Sequence, residues 1–281
     1  MLGTYISHNG QLIPKEEALV SIDNIEFTYG FGVYENIRLS KGKLMFVDLH
    51  IERLMNSAKI IHLEHIFDIQ DIKRDIQILV EKNKISQASR RPASGGETAN
   101  IKILLIGGKT PADAQLYIMM LAPKFLDKKV YREGVKVISK THERFLPIAK
   151  TLNMLPSYLF YKDAAQKGAF DALLLDHLGN ILEGTRSNFF AIRDTTLYTP
   201  LLEHVLNGVT RQTVIACARE HGYTVREEMI SFSTLFSFDG AFLTNTSGKI
   251  VPIRTVDGQT FPEIASEIKR LIKLYDEYLN C

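Results

Sequence analysis

Four stretches of this 281-residue chain carry side chains whose type and setting could do chemistry. In FLPIAKTLNMLPSYLF (145–160), Lys150 is the only charged residue. Neutral neighbours strip an ammonium of hydration and disfavour it, which is what an amine that attacks a carbonyl needs. The same lysine could instead snorkel out of a half-buried strand. In LNGVTRQTV (206–214), Gly208 precedes a helical pattern, and free amides at Val209 and Thr210 with the Thr210 hydroxyl would suit a phosphate. A plain glycine turn into a helix has the same appearance. In DHLGNILEGTRSNFF (176–190), Glu183 stands among apolar strand residues, a costly place for a carboxylate unless it meets a cation or is the solvent-facing end of a hairpin. In LTNTSGKIVPI (243–253), a strand breaks at Asn245, Thr246, Ser247 and Gly248, whose amides and hydroxyls can form an anion nest.

The elements that must position these residues follow from periodicity. Residues 4–14 form a hairpin around Asn9-Gly10, the pair that favours a type I′ turn. Residues 28–47 show strand-and-turn grammar. Asp48 is the expected N-cap of a helix with an apolar stripe of Leu49, Ile51, Leu54, Met55, Ala58 and Ile61; a second helix covers about 68–83. SRRPASGGETA (89–99) is loop-like. Two runs, 101–106 and 116–121, are apolar nearly throughout, as strands buried on two faces are. Beyond a charged stretch at 122–134, strands are expected at 135–139, 172–175, 189–192 and 241–243, with helices near 156–167, 209–221 and 261–278. The class is α/β (or α+β) in two parts: a small domain over 1–121, a linker over 122–134 and a larger domain over 135–281 that carries Lys150.

Composition excludes several function classes. The chain is 45% hydrophobic and 23% charged, an ordinary globular mixture. Thirty-four basic residues against 32 acidic ones leave +2, too little for a claim on nucleic acid or an anionic membrane. Two distant cysteines, Cys217 and Cys281, make neither a disulfide framework nor a metal site, and suit a reducing compartment. No basic segment followed by a long apolar core opens the chain, and no apolar run reaches the ~20 residues of a membrane span. The expectation is a cytoplasmic protein with no metal, no membrane and no nucleic acid.

Taken together and in order, YGFGVYENIRL (29–39), HIERLMNSAKI (50–60), AKTLNML (149–155), LGNILEGTRSNFFAI (178–192), LNGVTRQTVIACA (206–218) and LTNTSGKIVPI (243–253) resemble the fold-type IV pyridoxal-phosphate enzymes. These include branched-chain aminotransferases, D-amino acid transaminases and aminodeoxychorismate lyases. The resemblance implies a small N-terminal α/β domain, a larger C-terminal pseudo-barrel domain and pyridoxal 5′-phosphate as cofactor. It makes Lys150 the amine that condenses with the cofactor aldehyde and then moves the Cα proton. Glu183 becomes the partner of the pyridine nitrogen, which turns the ring into an electron sink. Arg53, Val209, Thr210 and Thr246 would grip the phosphate. Leu206 would pack on the ring, Tyr29, Tyr34 and Arg38 would line the substrate side, and the Ser247 and Gly248 amides would face the substrate carboxylate. A homodimer with the site near its interface is implied, and Arg90 and Arg91 in the 89–98 loop could reach a neighbour's pocket.

The substrate signals diverge. D-amino acid transaminases place an arginine and a histidine on a small-domain strand, and branched-chain enzymes a tyrosine and an arginine in the same region. Here NIKILLIGGKTPADAQ (100–115) has only Lys102 and Lys109 as cations. Branched-chain enzymes commonly have a tyrosine five residues after the lysine, where this chain has Leu155, yet YGFGVYENIR leans to their pattern. The substrate region that the resemblance implies, Leu155, Tyr29, Phe31 and Tyr34, is apolar and aromatic. The leading reading is an aminotransferase acting on an amino acid, of branched-chain type, and a 2-oxo acid. A D-amino acid transaminase, an aminodeoxychorismate lyase and a silent binding protein are the alternatives.

Overall fold

Asn9 and Gly10 both adopt positive φ, 49° and 82°, and so close the expected type I′ hairpin between β1 (Tyr5–His8) and β2 (Gln11–Pro14). The structure, a computed structural model, describes residues 2–87 and 98–280. A short helix, α1 (Ile25–Thr28), leads into β3 (Gly32–Ser40), which turns through Lys41 and Gly42, again both at positive φ, into β4 (Lys43–Leu44). Next come α2 (Val47–Ile60), α3 (Ile69–Gln87), β5 (Ala99–Ile106) and β6 (Gln115–Leu121). The expected N-cap of α2, Asp48, lies inside its first turn and ion-pairs with Lys73; Phe46 holds the cap position at φ 51°.

These strands form one antiparallel sheet in the order β2-β1-β6-β5-β3-β4. Helices α2 and α3 cover one face, packing Ile51, Leu54, Ile72, Ile76 and Leu79 on Val33, Ile37, Ile101, Ile103 and Leu105. On β5 the alternate residues Asn100, Lys102 and Leu104 are half-buried. The run therefore has one fully buried face, where its apolar character suggested two.

The chain divides into two units, Met1–Lys124 with Ala149–Asn153 and Phe125–Ile148 with Met154–Cys281. The stretch 122–134, expected as a linker, splits between them and carries α4 (Lys128–Glu133). Lys150, expected with the second part, counts with the first. β4 pairs only with Leu39 and Ser40, so the other end of that β3 edge is open, and 149–153 takes it.

The second unit continues with β7 (Val135–Thr141), α5 (Leu155–Gln166), β8 (Asp171–Leu175), β9 (Asn180–Gly184), β10 (Asn188–Arg193), β11 (Thr196–Thr199) and α6 (Val209–Glu220). It ends with β12 (Thr224–Glu227), β13 (Ile230–Ser231), β14 (Gly240–Asn245), β15 (Lys249–Val256), β16 (Gln259–Thr260) and α7 (Ser266–Tyr278). The sheet runs β12-β11-β10-β14-β15-β7-β8-β9-β13, and β10 also pairs with β9. That extra pairing closes β10-β14-β15-β7-β8-β9 into a ring, the pseudo-barrel. Its closing rung is Asn188 opposite Glu183. Along β10, Phe189 and Ala191 join one apolar cluster, while Phe190 and Ile192 join another with α6 and α7. Both faces of this strand are buried, so its sequence is apolar without alternation.

Candidate active site

In the first unit, Lys150 is fixed by its backbone. Its carbonyl accepts from the Tyr34 N–H at 3.0 Å, its own N–H donates to Ser57 Oγ on α2 at 3.1 Å, and Leu152 N–H donates to the Gly32 carbonyl at 2.8 Å. A Cβ on Gly32 would stand 2.7 Å from both the Leu105 carbonyl oxygen and Leu152 Cδ1, so glycine is what lets this segment lie against β3. The side chain is half-buried and its Nζ sits 4.5 Å from the Tyr34 ring centroid, within reach of the ring's attraction for a cation.

Behind Tyr34 on the same strand, Glu35 takes a core-facing position and is fully buried. It accepts from His50 Nδ1 at 2.8 Å, from Arg53 Nε at 2.6 Å and from Arg53 Nη2 at 2.9 Å. His50 and Arg53 are three apart on α2 and so share a helix face. Burial pushes the Glu35 carboxyl up, but the Arg53 charge and the hydrogen bonds from His50 and Arg53 outweigh it and hold the group well below the ordinary carboxylate range. Burial pulls the His50 imidazole below its ordinary value, against the opposing effect of Glu35. Tyr34 and Arg38 lie on the other face of β3, with Lys102 opposite Asn36 and its Nζ 5.9 Å from the Tyr34 ring. Tyr29, just past α1, is 80% exposed.

In the second unit, Glu183 is buried at the closing rung of the ring. Its Oε1 accepts from Arg144 Nε at 2.6 Å, and its Oε2 from the Leu206 N–H at 3.2 Å and Asn188 Nδ2 at 3.5 Å. The cation that a carboxylate among apolar strands requires is thus Arg144, which also donates to the Pro147 carbonyl at 2.6 Å. Asn188 Nδ2 further donates to the Leu206 carbonyl at 2.7 Å and so ties Glu183 to the loop that enters α6.

Helix α6 begins at Val209 with no side-chain cap on its first amides. Arg211, 2% exposed, anchors this end through the Pro200 carbonyl at 3.1 Å and Glu227 Oε2 at 2.8 Å. Gly208 has ordinary φ, so its requirement is space: a Cβ there would lie 2.0 Å from Asn188 Oδ1. Gly208→Ala should therefore displace Asn188 and the start of α6 together. The expected result is a loss of about 1–3 kcal/mol of stability, read from urea midpoints; a value within error of the parent would show that this corner tolerates the shift.

Thr246, Ser247 and Gly248 form the turn between β14 and β15. The Gly248 N–H donates to Asn245 Oδ1 at 2.6 Å. The amide expected to face a substrate carboxylate is thus bonded here to the asparagine side chain, which closes the turn on itself. The loop carrying Arg90 and Arg91 lies outside the described residues, as does Cys281. Among the described residues there is no cluster of ligands for a metal ion and no helix long and apolar enough to cross a membrane.

The profile of the amino-transferase class IV family matches residues 32–256, which span both groups of candidate residues. The chain belongs to this family. A probable branched-chain-amino-acid aminotransferase of Rickettsia bellii is 31% identical over 287 residues, covering 98% of this chain and 94% of that protein. A D-alanine aminotransferase of Bacillus licheniformis is also 31% identical, over 90% of this chain and 88% of its own. Among solved structures, a branched-chain amino acid aminotransferase of Escherichia coli matches with a TM-score of 0.87 and 26% identity, over 99% of this chain and 95% of that one. The two-part α/β fold with its closed sheet is the fold expected for this family.

Several residues of this class IV aminotransferase escape a reading of the sequence. Glu35 is legible in principle: in GVYENIRLS it falls in phase with Val33, Ile37 and Leu39, an odd place for a carboxylate. Arg144 lies just outside the uncharged run that draws attention to Lys150, and nothing in its spacing marks it as the partner of Glu183, 39 residues on. His50 and Asn188 are recognisable only by what they touch.

Proposed function

We propose that this aminotransferase exchanges the amino group of a hydrophobic, branched-chain-type amino acid with a 2-oxo acid, using pyridoxal 5′-phosphate. The donor set fits that group: an amine at Lys150, a cation-held carboxylate at Glu183, an uncapped helix start at Val209 and Thr210, and an arginine at Arg53. When bound, the cofactor supplies an electron sink for the charge left at Cα. Lys150 would be the amine for the aldehyde and would move the proton at the substrate Cα. Glu183, paired with Arg144, would accept from the pyridine N–H. Val209, Thr210 and Thr246 would offer amide and hydroxyl donors to the phosphate. Arg53, oriented by Glu35, would offer it a positive charge. Leu206 would pack on the ring.

The single observation behind the substrate class is the Tyr34 ring, 4.5 Å from the Lys150 ammonium: the surface nearest the reacting amine is aromatic. Tyr29 and Arg38 extend this proposed substrate side, and Ser247 is the turn residue assigned to the carboxylate. A homodimer in the cytoplasm is part of the same proposal. The test is a panel of L- and D-amino acids with 2-oxoglutarate as acceptor. L-leucine, L-isoleucine and L-valine should lead. Turnover of D-alanine alone would reverse the assignment in favour of the D-specific reading, and pyruvate released from aminodeoxychorismate without an acceptor would replace transfer by elimination.

A further inference from the structure

From residue 181 to residue 192 every residue is buried except one, Arg186. It stands in the turn 184–187, next to the rung where Glu183 faces Asn188. That turn is tightly bonded. Gly184 N–H donates to the Ser187 carbonyl at 2.7 Å and Thr185 N–H to the Ala172 carbonyl at 3.1 Å. Asp171, 2% exposed, accepts from the Thr185 hydroxyl, from Thr185 N–H at 3.2 Å and from Ser187 Oγ at 2.8 Å. A Cβ on Gly184 would fall 2.2 Å from Ser187 Oγ and 2.7 Å from Asp171 Oδ2, so a larger residue there would have to displace both side chains. Asp171 is thus fully engaged by hydroxyls and amides.

Arg186 itself makes no ion pair among the described residues; its guanidinium carbon lies 3.5 Å from the ring centroid of Tyr161 on α5. A guanidinium stacked on an aromatic face keeps its in-plane N–H groups for a planar anion, the bidentate geometry that carboxylates take. An arginine presented in this way, three residues from Glu183 and without a carboxylate of its own, is short of a partner. A substrate carboxylate would use such a group in addition to Ser247 and Arg38, since the strand region 100–115 adds only Lys102 and Lys109 and the Gly248 amide is bonded to Asn245.

We propose that Arg186 binds a carboxylate of the substrate, held for this on the ring of Tyr161. The assignment rests on Glu183 being the residue that meets the cofactor. The experiment uses the cofactor-loaded protein and two unreactive leucine-shaped probes, 4-methylpentanoate and its uncharged amide, with binding read from the change in cofactor absorption. Arg186→Gln should raise the dissociation constant of the acid roughly tenfold or more and leave that of the amide unchanged. Arg186→Lys should recover part of the loss, since it returns the charge without the fork. Tyr161→Leu should weaken the acid by several-fold, with KM for L-leucine rising while kcat holds. An acid-to-amide ratio that stays within about twofold of the parent in Arg186→Gln overturns the role of Arg186 alone. Absence of any cofactor absorption in the parent protein overturns the functional reading with it.

Discussion

A Lys150→Ala enzyme should lose transamination by about 10⁴-fold or more in kcat, because one substitution removes both the amine proposed to hold the cofactor and the group proposed to move the proton. The fold should survive. Lys150 is tied to β3 and α2 by its backbone N–H and carbonyl, which alanine keeps, and its side chain is only half-buried. The melting temperature without cofactor should therefore match that of the parent. The decisive measurement is borohydride reduction of the parent followed by peptide mapping. The reduced adduct belongs on the peptide containing residue 150. Finding it on another lysine, or on none, would remove Lys150 from the chemistry and leave the family fold with its catalytic amine elsewhere.

Glu35→Ala is expected to have the largest effect on stability. The carboxylate is fully buried and meets His50 Nδ1, Arg53 Nε and Arg53 Nη2, all within 2.9 Å. Removing it takes away the buried carboxylate that Arg53 and His50 both donate to, and breaking a buried ion pair of this kind costs about 3–5 kcal/mol. Arg53 is the proposed phosphate ligand, so affinity for pyridoxal 5′-phosphate should fall more than affinity for unphosphorylated pyridoxal. Equal losses for both ligands would show that Glu35 does not act through the phosphate.

The same network sets a pH dependence. Glu35 titrates in the fold below its ordinary 4.5, so its stabilisation is complete above that value and is lost as pH falls from 4.5 toward the folded value. His50 is also depressed, from an ordinary 6.5. Below 6.5 the unfolded chain takes up the proton more readily than the fold does, and stability declines as pH falls there too. Urea midpoints across this range should fall with acid in the parent. In Glu35→Gln the slope below 4.5 should flatten.

The expected hairpin at Asn9-Gly10, the helices that match α2, α3, α5 and α6, and the strands β5, β6, β8, β10 and β14 are legible because each depends on short-range rules: turn residues that accept positive φ, and apolar spacing at the period of a helix or strand. The start of α7 differs, Ser266 against the expected 261, since Phe261 is buried as part of a connection before the helix begins. The family is legible as well, since its motifs follow one another in order. Lys150 draws attention for a local reason, being alone in a long uncharged run.

What the linear order could not contain is which distant groups neutralise one another. Glu183 needs a cation unless it faces solvent, but only the folded chain brings Arg144 to it. The family resemblance alone makes Arg53 a grip for phosphate; in the fold, β3 turns Glu35 inward against it. Lys150 joins the first unit because β4 is too short to cover the edge of β3, a fact of strand pairing between segments over a hundred residues apart. Local sequence determines elements and the types of reactive group, whose energetics are set within a few residues. Ion pairs, ring closure and edge pairing depend on contacts between remote segments, and those exist only once the chain has packed.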